Sequence, residues 1–335
     1  MSVHDTAQEI GWGHEGTPET DAINNGSAKY WKIGVKLKDL IAEHPEHIVD
    51  YRPIYNSSKL YPSDAQRIAT HGTGGWVYYP VNGIMLYLLF GGSSTSTSIH
   101  TVGGVSNILG PGGVQPWITI RSQMTGGTDD KFISAKGAKI QSVGSNVNFL
   151  SDWKYMTETI TYNAIKTEAA AHAAAYSPVH PTDDYLMNGT PRTDRYCVNP
   201  DNTIFTWSGD NFLSEIAGLN IENVNHHRLG RIDNQTELEY IDLGNYTKIF
   251  TMSFTRGNVE EIWNDFKAGT QRTMVFKIYN GSTYYREYTW TKATLTKCNA
   301  PYTDLKETNL WTVSGFAEQL EIKIKDGVSD SFYDD

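Results

Sequence analysis

Apolar and polar positions along this chain alternate in short stretches, the two-residue period of strands with one buried face. Trp117-Ile118-Thr119-Ile120-Arg121 and Met274-Val275-Phe276-Lys277-Ile278 both read as strands. Asn280-Gly281 follows the second and is a strong hairpin signal; Gly126-Gly127 stands at the corresponding turn of the first. Further on, Met156, Ile160 and Tyr162 fall on one strand face, and Phe316, Leu320 and Ile322 on another. Two runs break the alternation. Val259, Ile262, Trp263 and Phe266 have the spacing of one helical face. Asn258 is its N-cap, Glu261 completes a capping box, and Gly269 stands where a C-cap belongs. Residues 82–91 form a more apolar run with Asn82 before it and Gly91 after it. That run reads as a helix or as a buried strand, since periodicity leaves both open in so short a segment.

The elements come in two copies. Phe132-Ile133-Ser134-Ala135-Lys136-Gly137-Ala138-Lys139-Ile140 matches Tyr288-Thr289-Trp290-Thr291-Lys292-Ala293-Thr294-Leu295. Each pairs an aromatic residue with a Lys four positions on, then Ala and an aliphatic residue, the second copy being one residue shorter. Each then passes through a polar loop to a Trp, Trp153 or Trp311, and on into a strand. The expected organisation is an N-terminal arm (1–29), a first β domain (30–166), a linker (167–194), a second β domain (195–326) and an acidic tail (327–335). The linker opens with an Ala-rich run, 169–175, that reads as a short helix, followed by turns at Pro178 and Pro181. The fold expected is mainly β, with two tandem β-sandwich or barrel-like domains, each with a flanking α-helix. Trp153, Trp311, Ile262, Trp263 and Phe266 are expected in the cores. The first copy alone carries an insertion, residues 91–113, of mostly small residues, with Ser93, Ser94, Thr95, Ser96, Thr97 and Ser98 unbroken. It has little to bury and reads as a functional loop that orders on assembly.

Charge and chemistry narrow the picture. With 38 acidic and 28 basic residues the net charge is -10, so the chain does not grip a phosphate backbone by bulk electrostatics. Cys197 and Cys298 are too few and too far apart for a disulfide framework or a zinc site, and are expected as reduced thiols. Residues 1–10 lack the apolar stretch of a signal peptide, and 84–90 is too short to span a bilayer. Synthesis in a cytoplasm without membrane insertion is therefore expected. No nucleophile elbow, zinc-protease, Walker or dinucleotide motif is present, and Gly103-Gly104 lacks the Lys-Ser/Thr that holds phosphate. His226-His227 would need Asp233 or Glu237 to hold a metal, and neighbours in a strand face opposite sides. His44 and His47 flank Pro45-Glu46 and suggest an exposed turn. Glu260-Glu261, Asp129-Asp130 and Asp183-Asp184 fit capping and turns, and nothing singles one pair out for glycoside cleavage. No catalytic residue, cofactor or metal site is expected.

Gly11-Trp12-Gly13-His14-Glu15-Gly16-Thr17 resembles the Gly-x-x-x-Glu and Gly-Thr opening common in tail tube proteins of long-tailed bacterial and archaeal viruses. Lys136-Gly137-Ala138-Lys139-Ile140 resembles the strand that family carries ahead of its loop. The helix-then-Gly element at 86–91 and the closing strand at 318–325 are similar to elements of the family as well. The Ser/Thr-rich insertion and the Ala-rich join have no counterpart in it. The resemblance implies packed antiparallel sheets with a flanking helix, six such domains to a ring, and rings stacked into a hollow tube. Two domains per chain then imply a trimeric ring with pseudo-sixfold symmetry, or else a hexamer in which one domain lines the lumen. The partners implied are further copies of the chain, other tail proteins, and double-stranded DNA that slides past without specific binding. The location implied is the virion tail. Ser93 to Ser98 are the first candidates for contact between rings and the arm the second; deleting 93–98 should abolish tubes and leave folded monomer. Asp326, Asp330, Asp334 and Asp335 form a solvated tail or an acidic strip beside the DNA path. Two rival readings remain: a carbohydrate-binding or carbohydrate-cleaving β-sandwich, and another ring-forming virion part such as a tail terminator or baseplate ring.

Overall fold

The computed structural model describes residues 7–18, 31–32, 35–52, 64–103, 115–125, 131–150, 155–171, 186–187, 190–191, 196–198, 201–230, 238–255, 260–299 and 311–327. The chain is mainly antiparallel β, with two helices among the described residues. The first half contains β1 (Ala7–His14), β2 (Trp31–Lys32), β3 (Val35–Arg52), β4 (Asp64–Tyr79), α1 (Ile84–Phe90), β5 (Ser93–Ser96), β6 (Ile99–Gly103), β7 (Ile118–Thr125), β8 (Lys131–Asn148) and β9 (Thr157–Ala171). The join holds a small hairpin, β10 (Leu186–Met187) with β11 (Thr190–Pro191). The second half contains β12 (Thr203–Trp207), β13 (Asp210–Asn211), β14 (Ile216–Asn225), β15 (Arg228–Gly230), β16 (Tyr240–Asp242), β17 (Tyr246–Phe254), α2 (Glu260–Ala268), β18 (Arg272–Asn280), β19 (Tyr284–Asn299) and β20 (Trp311–Lys325).

The same neighbour order occurs twice. It runs β2-β1-β7-β8-β9-β4-β3 in the first half and β13-β12-β18-β19-β20-β17-β14 in the second. Each helix follows the matching strand, β4 or β17, and packs against the matching long strand, β8 or β19. The correspondence extends to single residues. Buried Trp12 lies opposite Ile120, and buried Trp207 lies opposite Met274. Register shifts fall between Ile118 and Ile120 and between Arg272 and Met274, and again between Ile140 and Ser142 and between Leu295 and Lys297. Gly137 (φ 58°) and Lys292 (φ 56°) are both left-handed at the same place.

This registration corrects the alignment read from the sequence. Gly137, not Lys136, answers to Lys292, and no residue is missing between the copies. Trp76 opposite Ile160 answers to Met252 opposite Val313, so Glu158 occupies the place of Trp311. Trp153, expected to match Trp311, lies outside the described residues. The left-handed residue also explains why the shared face of Phe316, Leu320 and Ile322 does not hold. The buried positions of β20 switch from Val313, Gly315 and Ala317 to Leu320, Ile322 and Ile324, and Phe316 is exposed. The switch falls beside Lys292, where the ladder is interrupted.

Other expectations change too. Residues 7–14, read as part of a free arm, pair along β7, and residues 169–171 of the Ala-rich run pair with β8 as strand. His44, Pro45 and His47 lie within β3 rather than in a turn. The run at 84–90 is a helix, buried throughout, closed by left-handed Gly91. The N-cap expected at Asn258, the helical-face residue Val259 and the turn at 126–127 fall outside the described residues, while Gly269 (φ 64°) follows α2 as expected. The start of the insertion is not a structureless loop. Residues 93–103 form the hairpin β5–β6, turned through left-handed Thr97 and Ser98, and β6 pairs with β20 of the other half.

Candidate assembly interface

The two halves are joined edge to edge. β14 pairs on one side with β17 of its own half and on the other with β8 of the first half, from Gly218 opposite Asn148 to Val224 opposite Ser142. The strand β8 is long enough to do this because β7 pairs with it only as far as Ala138. Beyond that point the edge of β8 is open to β14.

A buried ionic network sits beside this seam. Glu158 of β9 and Arg286 of β19 form a salt bridge with both side chains essentially inaccessible. Tyr78 donates its hydroxyl to Glu158, Ser145 donates to the same carboxylate at 3.2 Å, and Arg286 donates to Tyr288 at 3.2 Å and to the Asn82 carbonyl. The guanidinium also lies 5.2 Å from the Tyr196 ring. Burial pushes the Tyr288 hydroxyl up to about 12, so it remains a neutral hydrogen-bonding group. The Glu158 carboxylate and the two terminal nitrogens of the Arg286 guanidinium are thus paired and hydrogen-bonded, the condition for keeping charge in a core, while Arg286 Nε has no hydrogen-bond partner among the described residues.

A second polar cluster lies farther along the same seam. Gln115 donates through Nε2 to the carbonyls of Leu89 (2.5 Å) and Ile140 (2.9 Å), which leaves its Oε1 as acceptor. His227 Nε2 then donates to that oxygen at 2.9 Å, and His227 Nδ1 accepts from Asn163 Nδ2 at 3.1 Å. Burial, with Lys139 nearby, pulls His227 down to about 4, consistent with a ring nitrogen committed as an acceptor. Asn225 donates to Tyr246, and Tyr246 donates to the Leu89 carbonyl at the end of α1. Lys139 donates to the Ile241 carbonyl at 2.8 Å and lies 3.9 Å from the Trp117 ring centre; burial pulls its ammonium down to about 8. Ile165 packs with Leu238 and Ile241 in a small separate apolar cluster.

A third connection is the hairpin. β6 pairs with β20 from Gly103 opposite Glu321 to His100 opposite Ile324. Asp326, placed by sequence at the start of an acidic tail, is buried there and accepts from the Gly83 amide at 3.0 Å. At the hairpin tip Ser94, Ser96, Thr97 and Ser98 are exposed, while Ser93 and Thr95 are half-buried and Thr95 bonds to His100. Removing 93–98 would therefore take away β5 together with the tip.

Of the residues expected in the core, Ile262 is buried, and Phe266 and Trp311 are half-buried against the core. Trp263 is half-buried at its edge, its ring 6.1 Å from Trp311. The inner face of α2 instead carries Ile262 and Asp265, because Asp265 accepts from Trp207 Nε1 (2.8 Å) and from Arg272 (2.8 and 2.9 Å). Sequence reasoning passed over Glu158, Arg286, Gln115 and His227 as seam residues. Glu158 is in phase with Met156 and Ile160, and Arg286 with Tyr288 and Trp290, which was the available signal.

Glu15, from the family-like opening, has a local role. Its carboxylate accepts from Thr119 (2.5 Å) and from the amide of left-handed Gly137 (3.0 Å), fixing the bulge of β8. Among the described residues no group of three or more His, Cys, Asp or Glu side chains converges as a metal site. No helix among them is long and apolar enough to cross a membrane. No protein-family model matches the sequence, and a comparison with curated proteins finds no match.

Proposed function

We propose that this chain is a virion structural protein without enzymatic activity, the major tail tube subunit of a long-tailed virus. In this reading its two halves are tail-tube-like domains, three chains close a pseudo-sixfold ring, and rings stack around a lumen through which DNA passes. The observation that carries the proposal is the joining of two copies of one strand order by a head-to-tail seam. The edge of β14 meets the distal part of β8, two different surfaces. A contact between unlike surfaces repeats: it closes into a ring or continues as a filament. Ring closure also removes open sheet edges, which otherwise invite uncontrolled pairing.

The net charge of -10 suits a wall that lets phosphate slide without holding it. The exposed hairpin tip suits contact between stacked rings and favours a tube over a single closed ring such as a terminator. The carbohydrate reading is weakened by the aromatics. Trp12, Trp76, Trp207 and Trp290 are fully buried, and Trp117, Trp263 and Trp311 are half-buried. Negative-stain electron microscopy of the purified chain, before and after concentration, tests the proposal. Hollow tubes with a regular axial repeat are expected. Discrete rings that never stack would move the assignment to a terminator or baseplate part, and monomers at every concentration would count against ring assembly.

A further inference from the structure

The internal seam has a counterpart that one chain leaves open. Ser142 and Lys297 both stand just beyond the matched bulge, so Val143 answers to Cys298 and Gly144 to Asn299. Strand β3 answers to β14: Leu40 lies opposite Trp76 as Leu219 lies opposite Met252. Yet β14 pairs on both sides, whereas among the described pairings β3 meets only β4. The segment of β19 beyond Ala293 likewise leaves its pairing with β18, as β8 leaves β7.

Exposure follows the same logic. Asn163 is 5% exposed because His227 of the second half covers it, while its counterpart Phe316 is 45% exposed. Ile165 is 1% exposed under Leu238 and Ile241, while its counterpart Glu318 lies open. Beside Phe316, and directly opposite it across the ladder, Ile249 is 37% exposed. Val143 is fully buried, while Cys298 is half-buried. Each of these positions is more open in the second half than in the first, and the two largest side chains, Phe316 and Ile249, are apolar.

We infer that a second copy of this chain seats its β3 edge on the distal segment of β19, over Ile249 and Phe316, in the register of the internal seam. Resting on the ring-forming reading, this names the surfaces that close the ring. In the internal seam Gly144 faces Glu222, Val143 faces Asn223 and Ser142 faces Val224. Thr73 answers to Ile249, and their partners are His44 and Glu222. The seam between chains therefore sets Asn299 opposite His44, Cys298 opposite Pro45, and Lys297 opposite Glu46 of the next copy.

Directly opposed residues of an antiparallel pair lie within disulfide range, and neighbouring pairs alternate between the closer and wider types. Two full-length variants test the register: Pro45→Cys, which uses the native Cys298, and Glu46→Cys with Lys297→Cys in a Cys298→Ser background. After mild oxidation at the concentration where the unmodified chain assembles, at least one should give covalent dimers and trimers on a non-reducing gel. Cys298→Ser should abolish the product in the first case. Phe316→Asp, at an exposed position, should remain folded by circular dichroism and lose assembly. Rings or tubes without cross-linking at either pair, or a Phe316→Asp chain that assembles normally, would overturn the seam and leave the ring-forming reading standing. An unmodified chain that forms no oligomer at any concentration, with no cross-link, would overturn both.

Discussion

Neutralising Glu158 should be strongly destabilising, because it breaks a buried ion pair from one side. The substitution Glu158→Gln keeps the size and most of the hydrogen bonds but leaves the Arg286 guanidinium buried without its counter-charge. Both side chains are essentially inaccessible, so water cannot take the place of the carboxylate. Breaking a buried pair from one side costs about 3–5 kcal/mol. With a urea dependence of roughly 3 kcal/mol per molar, the unfolding midpoint should fall by about 1–1.7 M. Arg286→Met should cost a similar amount, because it strands Glu158 instead. The double variant should be less damaging than either single one, since it leaves no uncompensated charge. Urea unfolding followed by tryptophan fluorescence measures all three. A loss below about 1 kcal/mol for Glu158→Gln, or simple additivity in the double variant, would refute the argument that this pair is dry and mutually dependent.

The His227 imidazole is neutral in the fold, with its pKa lowered from 6.5 to about 4, so protonation favours the unfolded chain. Stability should be intact above pH 6.5 and fall by about 3 kcal/mol toward pH 4, and His227→Gln should flatten that slope in unfolding experiments at stepped pH. Gly137→Ala should destabilise by about 1–2 kcal/mol, because its φ is 58° and a Cβ would lie 3.0 Å from the Ile165 side chain. Lys292→Gly, at the matched position with φ 56°, should be neutral or stabilising by up to about 1 kcal/mol; thermal melts showing the same sign for both would contradict the matched-bulge reading. Ser94→Glu with Ser96→Glu, both at exposed positions, should leave rings intact and prevent their stacking, as seen by electron microscopy.

The mainly β character and the helix at 260–268 were legible because strand alternation and helical spacing are local signals, whereas the run at 84–90 is buried on every side and its periodicity left helix and strand both open. The repeat was legible as well, but its register was not. Lys136 and Lys292 look equivalent, yet the position that must adopt a left-handed bulge is Gly137 in one copy and Lys292 in the other. A bulge marked by Gly once and by Lys once leaves no consistent residue to align. The hairpin at 93–103 was hidden for a related reason: its left-handed turn is built from Thr97 and Ser98 rather than Asn-Gly. Its strands read as a polar run, although Ile99 and Val102 face partners in the ladder. The seam network was passed over because charged residues at inward strand positions look like solvated ones. Arg286 sits in phase with Tyr288 and Trp290, and only the approach of Glu158 from the other half makes that placement tolerable. Contacts between distant segments of this kind carry no local signature.

The central claim is that two halves of one chain are successive members of a ring. Cryo-electron microscopy of assembled particles, with end-on averages and a reconstruction imposing only threefold symmetry, tests it directly. The account predicts three chains around a lumen, with first and second halves alternating at about equal radius and β3 of each chain paired to β19 of the next. Six chains per ring with one half of each on the outside, or a ring joined through surfaces other than β3 and β19, would contradict it.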